Sequence, residues 1–365
     1  MQSETTTANR LAPAAAQALV PRLAAAEREH DLAGRFAASS LDLVVSEGLL
    51  GLNVPEGYGE RLGGTLETLR VLAHGSPSTA LMLGMHTSVL AHWLLDPRHV
   101  PAAQRTAFLE QRDWAFGEAL AGRIFGVANS EAEAGGDVKA SRAEVREGRL
   151  YGTKSFCSMG TAASYHMAAA RDARGIVDYW LVAGEPETTR AAGPWNAMGM
   201  RGSESVSLHF EGARVVGPLG YHGILDGPNN RHWSTLSFTA VFIGIAESLL
   251  EDVATERSGI LQRSGAVDLH LILQACRAFL RHCVAIEPEP ADGAYRKLVR
   301  DCKLYVTRAL AQQASAVYIA QGGSAYRFDS PISRKLRDLL AGPALRPPVG
   351  VSFDELWEEL LPLSS

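Results

Sequence analysis

Phe125-Gly-Val-Ala-Asn-Ser-Glu-Ala-Glu-Ala-Gly-Gly-Asp137 and, after eleven further residues, Arg149-Leu-Tyr-Gly-Thr-Lys-Ser-Phe-Cys-Ser-Met-Gly160 form the stretch on which the reading of the fold turns. It contains two β-segments and two loops. The first loop, Ser130–Asp137, is made of small residues with paired glycines, so a ligand can approach the backbone without meeting a Cβ. The second, Lys154–Gly160, ends a strand of alternating pattern that follows a tight turn at Glu147-Gly148. An aromatic two residues before a hydroxyl, at a strand end, suits a flat heterocycle. Phe156 would pack on the ring face and Ser158 would bond its edge. On these residues alone a surface hairpin with a glycine-rich turn fits better, because a lone glycine loop is a weak signal.

Outward from this stretch the chain divides by pattern. Before it, residues 11–50 carry helical spacing (Leu19, Leu23, Ala26, then Leu41, Val44, Val45). Helices are also expected over 64–73, over 79–95 with Ser78 as cap, and over 101–111, with 114–120 as a lead into the β-part. The 79–95 segment is apolar nearly all round, which implies burial, and it carries His86 and His92. A bundle histidine either finds a core partner or faces a site, and His86 is a candidate proton donor on the second reading. From 125 to about 216 the runs are short with period two, which favours an antiparallel barrel over a βαβ array. No strand–GxGxxG–helix occurs, so a nucleotide-binding doubly wound domain is not expected. After the β-part come helices over 233–256, 267–285 and 294–320, a Gly322-Gly323 stop, and a basic helix over 334–338.

Composition narrows the classes. The 365 residues are 46% hydrophobic and 21% charged, with a net charge of −5, which gives no general attraction to nucleic acid or anionic membrane. The four cysteines form no CxxC pair, so neither a metal site nor disulfides are expected, and a cytoplasmic setting fits. No apolar run of 18 residues suggests a membrane span, and the first ten residues lack a signal core.

Three blocks in order resemble the acyl-CoA dehydrogenase superfamily. Ser130–Asp137 (S-E-A-E-A-G-G-D) is similar to T-E-P-x-A-G-S-D. Gly152–Gly160 is similar to G-x-K-x-(W/F)-I-(S/T)-x-G. Trp195–Val215 carries G-M-R-G-S-E-S where the family has G-M-R-x-S-x-(S/T). The Gln321-Gly-Gly and Pro331…Arg337-Asp338 segments resemble its closing helices, so the likeness spans about residues 15–340. It implies an α+β multidomain fold: an N-terminal α-helical domain (1–122), a middle antiparallel β-barrel domain (123–222) and a C-terminal four-helix-bundle-like domain (223–365). It also implies a flavin, FAD or alternatively FMN. Asn129, Ser130, Phe156, Cys157 and Ser158 would lie against the ring, and Gly322 and Gly323 further along the cofactor. Gly136, Arg201 and Ser203 would shape the substrate channel, with His86 and Ser158 as catalytic candidates and no metal.

Where the family holds its carboxylate base, this chain departs from it. Counting places Arg346 at one such position and Ser234 at the other, while Glu247 and Glu251 lie further along that helix and read as paired or solvated. Gly136 replaces a hydroxyl residue, the arginine expected to reach the FAD pyrophosphate has only Arg257 or Arg263 to stand for it, and Ile319 occupies a glutamine position. Three readings follow. One is a dehydrogenase acting on an acyl thioester or related small substrate with a relocated base. Another is a reduced-flavin monooxygenase, and the last is a partner subunit or acyl-binding scaffold that has lost catalysis and its flavin. The resemblance further implies a homodimer or homotetramer working with a flavin reductase or an electron-transfer flavoprotein.

Overall fold

The structure is a computed structural model that describes residues 11–254, 259–345 and 347–361. Its N-terminal part has α1 (Ala12–Ala33), α2 (Ala38–Ser46), α3 (Leu62–Gly75), α4 (Pro77–Leu90) and α5 (Arg105–Leu120). The helical stretch expected over 11–50 breaks at Gly34, whose φ of 59° closes α1 in the left-handed region. The cap of α4 is Ser76, not Ser78: its hydroxyl accepts from the Thr79 N–H at 3.1 Å, with Pro77 in the first turn. All fourteen residues of α4 are buried, which accounts for its unbroken apolar pattern. Residues 114–120, expected as a lead-in, are the second half of α5.

The middle part holds β1 (Phe125–Ala128), β2 (Glu144–Arg146), β3 (Arg149–Cys157), β4 (Tyr165–Arg171), β5 (Val177–Ala183), β6 (Thr189–Ala191) and β7 (Val206–Pro218). Glu147 and Gly148 both take positive φ (50° and 70°), the geometry of a two-residue hairpin turn between β2 and β3. The ladder runs β4-β2-β3-β7-β5 and returns to β4, closing a barrel. Most pairings are antiparallel, but β1–β4 and β2–β4 are parallel, so the barrel is mixed rather than wholly antiparallel. Leu150, Ala168, Val182, Leu208 and Phe210 belong to one buried cluster, while Phe125, Met167 and Leu181 belong to another with Trp93 and Phe108. The alternation along β4 sends successive residues into different cores.

The last part comprises α6 (His232–Val253), α7 (Ile260–Ala285), α8 (Gly293–Gln321), α9 (Pro331–Leu339) and α10 (Val349–Leu360). Helix α6 packs on α3 and α4 as well as on α7, α8 and α9. Leu69, Leu83, Phe242, Ile245, Leu273 and Leu310 therefore share one core, and residue 223 does not begin a separate one. An 18-residue window of α6 has mean hydropathy 1.4, enough by composition to cross a bilayer, contrary to the sequence reading. That window is 83% buried inside the protein, so its apolar character is used in this core. Helix α7 starts seven residues earlier than expected. Helix α10 was not foreseen: it docks through Arg300 to Glu355 and Glu359 and through Arg308 over the Phe353 ring.

Candidate functional site

Lys154, inside β3, organises the two loops. Its side chain is wholly buried, and its ammonium donates to the Glu131 carboxylate at 2.5 Å, to Ser141 Oγ at 2.9 Å and to the Ala169 carbonyl. Glu131 also accepts from the Arg142 N–H. Burial alone would raise the Glu131 pKa, yet Lys154 and Ser141 hold it down to about 2. The first loop is thereby tied to the strand that carries the second, and the Ser155 N–H donates to the Ser130 carbonyl at 2.8 Å.

One residue after this bridge the backbone turns. Phe156 takes φ 56° and leaves its ring 66% exposed, edge-on to Trp195 with centroids 6.3 Å apart. A β-branched or aromatic residue in the left-handed region is strained, and exposure of an apolar ring removes the usual compensation. Met159, Met200 and Glu204 are also left-handed, so four of the five such non-glycine residues lie in the second loop and in the 200–204 turn. These segments meet: Met159 N–H donates to the Ser203 carbonyl at 2.9 Å, and Ser205 Oγ lies 2.8 Å from both Ser158 Oγ and Ser203 Oγ. Asn129, at the end of β1, has a buried Oδ1 without a hydrogen-bond partner. Cys157 turns inward, where burial pushes its thiol up to about 12, so only its backbone is available to a ligand.

The closing helices fix the 198–201 turn. The Met200 N–H donates to Asp338 Oδ1 at 2.6 Å, and Arg337 donates to both oxygens of Asp31 and to the Met198 carbonyl. A Cβ on Gly199 would stand 2.2 Å from the Arg337 carbonyl, so only glycine permits this approach.

Several expected site residues are placed elsewhere. His86 is fully buried: Nε2 donates to the Leu50 carbonyl at 2.8 Å and Nδ1 accepts from the Phe125 N–H at 3.0 Å. Burial lowers its pKa to about 4, so it is a neutral staple between α4 and β1 and not a proton donor. Arg201 donates to the Asp31 and Ala197 carbonyls and stacks near Phe328, which makes it a brace on α1 rather than a channel residue. Gly136 (φ 97°) lies under Pro348 and Val351, a position taken by the chain's own C-terminal segment and not by a substrate. Gly322 and Gly323 are exposed at the end of α8, and no hydrogen bond joins them to the Phe156 loops. Ser203 is buried and does join Ser158, through Ser205.

Sequence reasoning missed Ser205, Asn129 as an unpaired polar group, and Glu204. The last is a half-buried carboxylate beside Gly160 whose pKa burial raises, and it makes no ion pair among the described residues. The spacing S-E-S was visible, but not that its serines face inward. A cavity of about 240 Å³ beside Asp178, Trp180 and His222 lies at the far end of β7 from Ser205. Asp178 is already satisfied there by the Gly223 and Leu225 N–H groups.

Residues 5–111 match the family model described as "Acyl-CoA dehydrogenase, N-terminal domain". The structure superposes on butyryl-CoA dehydrogenase from Megasphaera elsdenii with a TM-score of 0.81, 17% identity, and coverage of 99% of this chain and 100% of that one. The chain has the acyl-CoA dehydrogenase fold. FMN-bound TdsC from Paenibacillus sp. A11-2 gives a TM-score of 0.80 at 22% identity, covering 98% and 99% of the two chains. In sequence, the amino sugar nitrososynthase DnmZ of Streptomyces peucetius is 26% identical over 90% of this chain and 87% of its own.

Against the acyl-CoA dehydrogenase pattern, the α6 position for a base is Ser234, in the first turn of that helix. The α6 carboxylates are all engaged: Glu247 with Arg70, His74 and Arg277, Glu251 with His74, and Asp252 with Lys335. The other base position, Arg346, and the possible pyrophosphate ligand Arg257 lie outside the described residues.

Proposed function

We propose that this chain is a flavin-dependent oxidoreductase of the monooxygenase kind, using reduced flavin and oxygen to oxidise a heteroatom of a small substrate such as an amino sugar. The observation that carries it is the pairing of an outward, strained Phe156 with the Ser158 hydroxyl, while Ser234 stands where the family holds a base on α6 and the carboxylates of that helix pair with Arg70, His74, Arg277 and Lys335. Phe156 would cover the ring face. Ser158 and Asn129 Oδ1 would bond polar edges, and the Ser130 and Cys157 backbones would flank them. The orphaned Asn129 oxygen fits a ring N–H donor. The flavin supplies the electrons for oxygen activation. The protein binds and orients it, and the buried Lys154–Glu131 pair keeps both loops in place.

FMN suits this reading better than FAD, because Gly136 stands where the family has a hydroxyl residue and the similar TdsC structure is FMN-bound. Similarity to the amino sugar nitrososynthase DnmZ supports an amino-sugar substrate, and similarity to the dibenzothiophene monooxygenase TdsC supports heteroatom oxidation. A homodimer or homotetramer served by a flavin reductase in the cytoplasm fits this reading, with the four cysteines free and buried.

A dehydrogenase acting on an acyl thioester is the second reading, favoured by Glu204, whose raised pKa and lack of a counter-charge suit a relocated base. The purified protein should carry or take up a yellow chromophore whose mass identifies FMN or FAD. Oxygen uptake that requires NADH, a flavin reductase and a nucleotide-linked amino sugar supports the first reading. Bleaching by butyryl-CoA alone supports the second. A colourless protein that takes up neither flavin overturns both and leaves a non-catalytic partner subunit.

A further inference from the structure

Three serines around the second loop form a single hydrogen-bonded row with one closed end. Ser203 Oγ is completely buried and, among the described residues, its only hydrogen-bond partner is Ser205 Oγ at 2.8 Å. Ser205 Oγ bonds in turn to Ser158 Oγ at 2.8 Å, and Ser158 has no other side-chain bond. A buried hydroxyl with one oxygen neighbour donates to it, because an unsatisfied O–H costs about 1–3 kcal/mol while a spare lone pair costs less. Ser203 therefore donates to Ser205. Ser205, having one hydrogen, donates to Ser158. One lone pair of the Ser158 oxygen is then filled from within, and its hydrogen is left to point away from the row.

We infer that Ser205 and Ser203 are positioning residues that polarise Ser158 as a hydrogen-bond donor into the site. Resting on the flavin reading above, this assigns the atom opposite Ser158 as an acceptor. In a flavin the edge nitrogen between the rings is bare when oxidised and carries a hydrogen when reduced. A donor fixed by the row bonds the bare nitrogen and meets the hydrogen of the reduced one unfavourably. The site thus holds oxidised flavin more tightly, relative to reduced flavin, than a freely rotating hydroxyl would. Both distances are close to the ideal for O–H···O bonds, and a row of this kind strengthens each of its members.

The test compares dissociation constants for oxidised FMN and for FMN reduced with dithionite under anaerobic conditions, in the intact protein. Ser205→Ala should reduce the preference for the oxidised form by three- to tenfold, and Ser205→Thr, which keeps the hydroxyl, should restore it. Ser158→Ala should abolish the preference. A merely structural role would weaken both forms alike and leave the ratio unchanged. If Ser158→Ala shifts the ratio while Ser205→Ala and Ser205→Thr both leave it within twofold, the row does not position Ser158 and the inference is overturned. If the ratio is insensitive to Ser158 itself, the serine does not face the flavin edge, and the inference also falls while flavin binding stands. A wild-type protein that binds no FMN in either state overturns the functional reading and this one together.

Discussion

Asp338 shows how a single buried side chain couples this fold to pH. Burial, with Glu27 and then Asp31 nearby, raises its pKa from 3.8 to about 7, partly opposed by the Met200 N–H and Arg334. The folded protein therefore keeps a proton that the unfolded chain releases near pH 4. The contribution is present in full below that pH and is lost as pH rises to about 7, by an amount on the order of 4 kcal/mol. Glu27, also raised by burial, acts in the same direction. Asp338→Asn cannot titrate but keeps an oxygen for Met200. The difference in Tm between pH 5 and pH 8 should shrink in this variant, and an undiminished difference would assign the effect elsewhere. Lys154→Met makes the opposite kind of change, stranding Glu131 without its cation. It should cost about 3–5 kcal/mol in urea denaturation, since breaking a buried pair is worse than never having it. Much of this was legible: Lys154, Phe156 and Ser158 stand out in the sequence as a strand end. His86 was not, because a histidine on an apolar helix reads the same whether its nitrogens meet a ligand or, as here, a carbonyl and an N–H from distant segments.

Elements were readable where one period dominated. Helix α8 and strand β4 were visible because their patterns hold over their whole length. Helix α10 was not, because its support comes from another helix: Lys303 donates to the Leu345 and Pro347 carbonyls at 2.6 and 2.7 Å, and Arg300 and Arg308 reach its side chains. Lys303 is completely buried with no carboxylate bonded to it, and burial lowers its pKa to about 8. Lys303→Met should free the segment from 345 onward without unfolding the rest. Limited proteolysis followed by mass spectrometry should then cut after residue 340 at least tenfold faster, with Tm lowered only slightly. Unchanged cleavage would show that the arginine contacts alone hold α10.

At the scale of the molecule, the closing of the barrel and the burial of α6 decide how the protein unfolds. Because α6 contributes Phe242 and Ile245 to a core shared with Leu69 and Leu83, the N- and C-terminal helices cannot melt separately. Phe242→Ala should cost about 3–5 kcal/mol and should lower hydrogen-exchange protection in α3, α6 and α8 together. Protection lost in α6 and α8 alone would show two independent cores. The sequence divides the chain into three parts by period, and the seven strands run from Phe125 to Pro218. It does not reveal that the outer two parts interpenetrate, since hydrophobic spacing tells which face of a helix is covered but not by what.

Helix α6 also has a consequence for the protein's birth. When the ribosome has made the first 220 residues, the barrel has all its strands, but α3 and α4 still lack the helix that covers them. Until residue 253 has emerged, that apolar surface is open to water, and the nascent chain at this length is the form most in need of a chaperone.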